Sequence, residues 1–356
     1  MALLLMNWDF NLIAELPDFE SLQLTRSFWG LGGFEMRIHP KAAGACELAM
    51  GRVLFLSDQP HKAMLIDKIN RKDDKVTVSG KPIKGIAGYR ICVPPAIDDG
   101  HFGWDRMIGS AESAYHHYAA ANLYAPQDAK RKIERLEAAV NLNRGIVLPW
   151  QSRFGNLEAI MGDIGETTEL GWDIVPDFHI KRYLFTVMEG RDLTIGTGKV
   201  VITEQSQNAG GVSFTMDQTA LRTTAYVGGS GEDENRLILS EGNEHTGYSR
   251  RETWVDAGSI FETEMLRMSA RKKLETAKEK ETFSAEVMDS GLCRYERDFD
   301  LGDKIVLTGE NLRAETRLTE MRESYESGTR KLQATFGMAP VKWVRELRDT
   351  VWPTIR

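Results

Sequence analysis

The residues with most chemistry to offer are the adjacent histidines His116-His117, three cysteines and a few paired carboxylates. Neighbours on a helix point roughly a quarter-turn apart, so His116 and His117 can share a metal ion only with ligands from elsewhere. Cys46, Cys92 and Cys293 stand far apart, with no partner at metal-ligand spacing, and read as reduced, partly buried thiols of a protein made in a cytoplasm. Asp73-Asp74 and Asp98-Asp99 fall where turns are expected, and aspartate there hydrogen-bonds nearby backbone. Glycoside hydrolysis would need such carboxylates to face each other across a cleft. The run Glu232-Asp233-Glu234-Asn235 lacks the alternating ligand order and closing glutamate of a calcium loop, and reads as a solvated hairpin tip or a weak cation site.

Other catalytic signatures fail for stated reasons. Gly80-Lys81 is followed by Pro82, whose missing amide would spoil a phosphate cradle. Gly30-Leu31-Gly32-Gly33 lacks the third glycine and following helix of a dinucleotide fingerprint. Neither a Gly-x-Ser-x-Gly elbow nor a His-Glu-x-x-His stretch occurs. The expectation is a protein that is not an enzyme and has no cofactor or bound metal. The aromatic stretch Trp104 to Tyr124, with Tyr115 and Tyr118, and Trp150 nearby, reads as packing or as a binding face.

The elements around these residues follow from periodicity. In the N-terminal segment, Ser21 to Arg26 and Phe34 to Ile38 alternate apolar and polar residues, the period of a half-buried strand. The glycines between them can supply the positive φ of a tight turn. Val53 to Leu56, Met64 to Ile66 and Lys75 to Ser79 continue the β pattern. Helical spacing appears in Trp104 to Asn122, Gln127 to Val140 and Asn156 to Leu170. Strands return from Tyr183, a charged helix is expected over Ile260 to Glu281, and Phe283 to Phe336 is β again. The expected division is residues 1 to 98 (β), 99 to 182 (α-rich), 183 to 258 (β) and 259 to 356 (helix plus β, ending in a helix or arm after Pro340). The fold class is α+β, mainly β.

With 356 residues, 42% hydrophobic and 27% charged, the chain has the composition of a globular protein of several compact units. Its 45 basic against 52 acidic residues give a net charge of -7, unlike a protein built to grip nucleic acid. The apolar start, Met1 to Met6, is too short and lacks the basic flank of a signal or membrane segment, and reads as a first strand.

The motifs, taken in order, resemble a family of siphophage tail proteins typified by one from a Rhodococcus phage and found in prophages. They are Ser21-Leu22 with Arg26, Gly33-Phe34-Glu35, and Ser79-Gly80-Lys81-Pro82-Ile83-Lys84-Gly85 closed by Tyr89-Arg90-Ile91. Then come Gly247 with Arg250-Arg251-Glu252 and Val255-Asp256, and Tyr295 with Asp298-Phe299-Asp300-Leu301-Gly302-Asp303. Thr319-Glu320 and Thr335-Phe336-Gly337 complete the series. Pro82 and the length beyond Met338 depart from the family pattern.

The resemblance implies a baseplate hub of a virion tail, with two tube-forming β-barrel-like domains, an α-rich inserted domain and a helix-plus-β C-terminal part. It implies a homotrimeric ring joined to distal tail and tube proteins and to tip or spike proteins. DNA would pass through without specific binding, and no membrane insertion is expected. The candidate subunit interface is Leu22, Leu24, Phe34, Met36 and Ile38. The alternatives are a receptor- or glycan-binding tail-tip module and, behind it, a cell-wall hydrolase.

Overall fold

The computed structural model describes residues 2–337 except 99–100, 204, 206–207, 259, 289–292, 310–311 and 327. Asp99 of the second acidic pair, and the expected helix or arm after Pro340, lie outside the described residues. The chain is mainly β and divides into two compact units, Met1–Ser213 with Phe283–Arg356, and Phe214–Thr282.

In the first unit, alternating side chains build one long antiparallel path. Its order is Thr329–Gly337, Leu312–Glu326, Phe19–Ser27, Gly32–Ile38, Lys75–Pro82, Gln59–Lys72, Val53–Leu56, Leu3–Met6 and Leu12–Leu16. The turn into Gly32–Ile38 depends on glycine, since Gly32 sits at φ +78 and a Cβ there would lie 2.1 Å from the Thr25 carbonyl oxygen. The C-terminal strand Leu312–Glu326 pairs with the N-terminal Phe19–Ser27, setting Tyr325 opposite Leu22 and Arg322 opposite Thr25. Beneath this sheet Leu3, Leu5, Leu22, Leu24, Met36, Ile38, Met64 and Val78 form one core.

A second core in the same unit gathers around helices α1 (Ala111–Ala119) and α2 (Leu157–Thr168). Helix α2 matches its expected span. Asn156 caps it, accepting from Glu158 N at 2.9 Å, and Leu157, Met161 and Ile164 are its buried stripe.

Two expected helices differ. In Trp104 to Asn122 the α-helix begins only at Ala111, because Asp105–Ser110 pairs antiparallel with Val147–Ser152 and Ser110 then acts as the cap. Gln127 to Val140 is not a helix. Asp128 caps a single 3-10 turn, Ala129–Arg131, and Arg135 turns the chain at φ +62. Leu136–Ala138 then pairs in parallel with Tyr183–Phe185. Tertiary pairing there outweighs the good helix propensity of Ala, Lys, Arg and Glu, which is worth only tenths of a kcal/mol per residue.

The second unit packs a three-stranded sheet, Ile238–Glu241, Thr224–Gly228 and Glu252–Asp256, under helix α3 (Thr263–Thr276). Ala225, Val227, Leu266 and Ala270 form its core. The helix is shorter than the expected Ile260 to Glu281, because Lys280–Val287 is already a strand.

Candidate functional site

Within the first unit, the motif residues Arg26 and Tyr295 meet Lys62, Glu296, Glu323 and Arg330 in one buried cluster of charges. Lys62 projects from the Gln59–Lys72 strand, Glu323 and Tyr325 from Leu312–Glu326, Arg330 from Thr329–Gly337 and Arg26 from Phe19–Ser27. Glu296 and Tyr295 arrive from the loop preceding the Lys304–Gly309 strand. The Lys62 ammonium lies 2.5 Å from Glu323 Oε1 and 2.8 Å from Glu296 Oε1, and the Lys62 and Glu323 side chains are fully buried. Arg330 donates to Glu323 Oε2 at 2.7 Å, and the Tyr325 hydroxyl donates to the same oxygen at 2.7 Å. Arg26 reaches Glu296 at 3.5 Å and Asp173 at 3.9 Å, and its Nη1 donates to the Tyr295 hydroxyl at 3.4 Å.

These groups set one another's protonation. Burial alone would raise Glu296, but the His61 hydrogen bond and the charges of Lys62 and Arg26 hold its carboxyl down to about 2. Burial pulls Lys62 down from the usual lysine range, against the two glutamates. Glu323, which burial would raise, is held below its usual value by Lys62 and Arg330. Removing one member of such a set leaves the others charged and dry, which is the costly case.

A second polar knot ties the Asp298 to Asp303 motif to the chain that follows Met188. The Asp303 carboxylate accepts from Arg191 Nη2 at 2.6 Å and from the Arg191 amide at 2.7 Å. Gly302 takes φ +93 and leans on Phe28 so closely that a Cβ would lie 2.2 Å from Phe28 Cε2. Arg317 stacks on the same ring at 5.4 Å and donates to the carbonyls of Gly302 and Glu189, the latter at 2.9 Å. From the Ser79 to Gly85 motif, buried Lys84 donates to the carbonyls of Ser27 at 2.6 Å and Trp172 at 3.1 Å. Burial lowers Lys84 to about 8.

The cavity beside Arg26, Lys62, Lys84 and Asp173 is about 10 Å³, room for one water at most. Such a site joins segments distant in sequence and has no space for a substrate. A wider cleft of about 600 Å³ lies elsewhere in the unit, where Arg135 pairs with Asp9 at 2.9 Å and Arg182 with Glu137 at 2.8 Å.

The residues singled out by sequence are dispersed. Leu22, Leu24, Phe34, Met36 and Ile38 are all buried in the chain's own core, and the outward row of the same strands is Ser21, Gln23, Glu35 and Arg37. His117 contacts Asp105 at 2.6 Å, while His116 packs edge-on against Phe185. In the stretch Trp104 to Tyr124, Tyr115 and Tyr118 are fully buried, as is most of Trp150, whereas Trp104 is exposed. Glu232 to Asn235 are exposed around a 3-10 turn.

Sequence reading missed Lys62, Glu323 and Arg330. A signal existed, because Glu323 shares the inward parity of Met321 and Tyr325 along its strand. Lys62 likewise opens the buried run Ala63-Met64-Leu65-Ile66.

The fold is similar to that of the tail protein from Neisseria meningitidis MC58, with TM-score 0.58, 13% identity and coverage of 96% of this chain and 97% of that one. It is similar to the 43 kDa tail protein of prophage MuSo2 from Shewanella oneidensis, at TM-score 0.56 and 8% identity over 94% and 98% of the two chains. Prophage tail protein gp18 from Listeria monocytogenes EGD-e gives TM-score 0.52 and 11% identity over 99% and 98%. Comparison with curated proteins finds no match. Across residues 2–338 the sequence matches the siphovirus ReqiPepy6 Gp37-like protein family, and the chain belongs to that family of siphovirus tail proteins.

Proposed function

We propose that the chain is a non-enzymatic baseplate hub subunit that forms a homotrimeric ring, joins the tail tube to the tip and lets DNA pass. The observation that carries this reading is the fold likeness, over 94% to 99% of the chain, to tail proteins from three bacteria. Three further features support it. The N-terminal and C-terminal strands share one sheet, so the first unit can act as a rigid wall element. Buried Lys62, costly to unpair, ties two strands of that sheet together through Glu323 and holds a loop to them through Glu296. The net charge of -7 suits a channel through which a polyanion must slide.

Ring closure would protect sheet edges and pair identical surfaces around an axis. Since Leu22, Leu24, Phe34, Met36 and Ile38 are spent on the monomer core, a neighbour meeting this hairpin would contact Gln23, Glu35 and Arg37. The mass of the purified protein in solution, together with its position in assembled tails seen by electron microscopy, tests the reading. A trimer, or a three-fold ring at the distal end of the tube, is expected. Absence of the protein from purified virions would overturn it.

A further inference from the structure

The second unit carries an aromatic face that its own core does not use. Helix α3 covers one side of the three-stranded sheet, where Ala225 and Val227 meet Leu266 and Ala270. On the opposite side, Tyr226 of the central strand stands in register with Trp254 of the neighbouring strand. Tyr226 is 36% exposed and Trp254 48% exposed. The next position on that face of the central strand is Gly228, and its missing side chain leaves the indole room to lie across the backbone. A Cβ there would be 2.5 Å from Trp254 Cη2. Ile238, paired with Gly228, extends the same face and is also exposed.

The rings are held in place. The Arg236 guanidinium stands 5.3 Å from the Trp254 ring, donates to the Gly228 and Gly229 carbonyls and pairs with Asp256. Arg250 stands 5.8 Å from the Tyr226 ring, donates to its hydroxyl at 3.0 Å and pairs with Glu252 at 2.6 Å. A platform ordered before binding loses little side-chain entropy when a ligand arrives.

Charge and size select the ligand. Each arginine on the face is matched by its own carboxylate, so the surface has no net sign to attract nucleic acid, phosphate or a polycation. The apolar part comprises two half-exposed rings and one isoleucine, well below the roughly 800 Å² per partner of a stable protein interface. Flat rings bordered by planar hydrogen-bonding groups suit a ligand with an apolar C–H face and a rim of neutral hydroxyls. The geometry points to a binding site for a neutral oligosaccharide on Tyr226 and Trp254, with Asp256, Glu252, Arg236 and Arg250 receiving the hydroxyls. The inference does not depend on ring assembly.

The test is binding of the full-length protein to an array of neutral oligosaccharides, followed by calorimetry with any hit and with cellohexaose, maltohexaose and chitohexaose. At least one should bind, and Trp254→Ala and Tyr226→Ala should each weaken it roughly tenfold, the loss of one aromatic contact, with the melting temperature unchanged. If Trp254→Ala lowers the melting temperature, Asp256→Asn at an exposed carboxylate gives the same reading through lost hydroxyl contacts. Failure of every neutral saccharide, or equal binding by the variants, overturns the proposal. Binding of dextran sulfate or single-stranded DNA through these residues overturns it too, as does loss of self-association in Trp254→Ala, which would make the face a protein contact.

Discussion

Lys62 and Glu323 meet at 2.5 Å with both side chains fully buried, although 261 residues separate them in the chain. The pair joins a strand of the N-terminal segment to one near the C-terminus, and Glu296 and Arg330 complete it from two further segments.

Glu323→Ala leaves Lys62 and Arg330 charged without their shared partner, and should cost about 3–5 kcal/mol of stability. The double variant Lys62→Met/Glu323→Ala should fall short of the summed single costs by about 1–3 kcal/mol. Urea unfolding of the four proteins checks this, and additivity would show that the pair is not coupled.

Stability should fall in acid through Glu296. Its carboxyl sits at about 2 in the folded protein against 4.5 ordinarily, so between those pH values the unfolded chain takes up a proton that the folded one refuses. The stabilisation is complete above pH 4.5 and is lost as pH drops toward 2. It amounts to about 3 kcal/mol at most. Glu296→Gln should flatten that part of a plot of urea midpoint against pH, while the wild-type slope persists.

Gly302→Ala should destabilise by about 3 kcal/mol or more, because it combines a left-handed backbone with a close approach to Phe28. Gly51→Ala is the control, since Gly51 has a positive φ of +74 but open space around it. It should cost only the backbone strain, about 1 kcal/mol. Melting temperatures of the two variants separate crowding from conformation.

If the outward face of the hairpin lines a channel, the wild-type protein should leave duplex DNA unshifted at about 0.15 M salt. Glu35→Lys, with Glu326→Lys at the exposed position opposite Ser21 on the adjoining strand, should then produce retention that weakens steeply as salt is raised. Tight binding of DNA by the wild type would count against free passage.

The sequence by itself determined the local features. Alternation placed Phe19–Ser27, Gly32–Ile38 and Lys75–Pro82, and Asn156 with a 3.6-residue stripe placed α2. Colinear motifs sufficed for the family, because order and spacing survive where identity to solved structures has fallen to 8–13%. What a strand pairs with is not written in its own pattern, so only the tertiary structure set Leu312–Glu326 beside Phe19–Ser27 and turned Leu136–Ala138 from a helical expectation into a parallel strand. The same pairing decided that Leu22, Leu24, Phe34, Met36 and Ile38 face a core within the chain, since alternation fixes which residues share a face but not what covers it. It also decided the aromatic surfaces. Tyr115 and Tyr118, readable in sequence as packing or as a binding face, are buried, whereas Tyr226 and Trp254 became a surface because α3 occupies only the other side of their sheet.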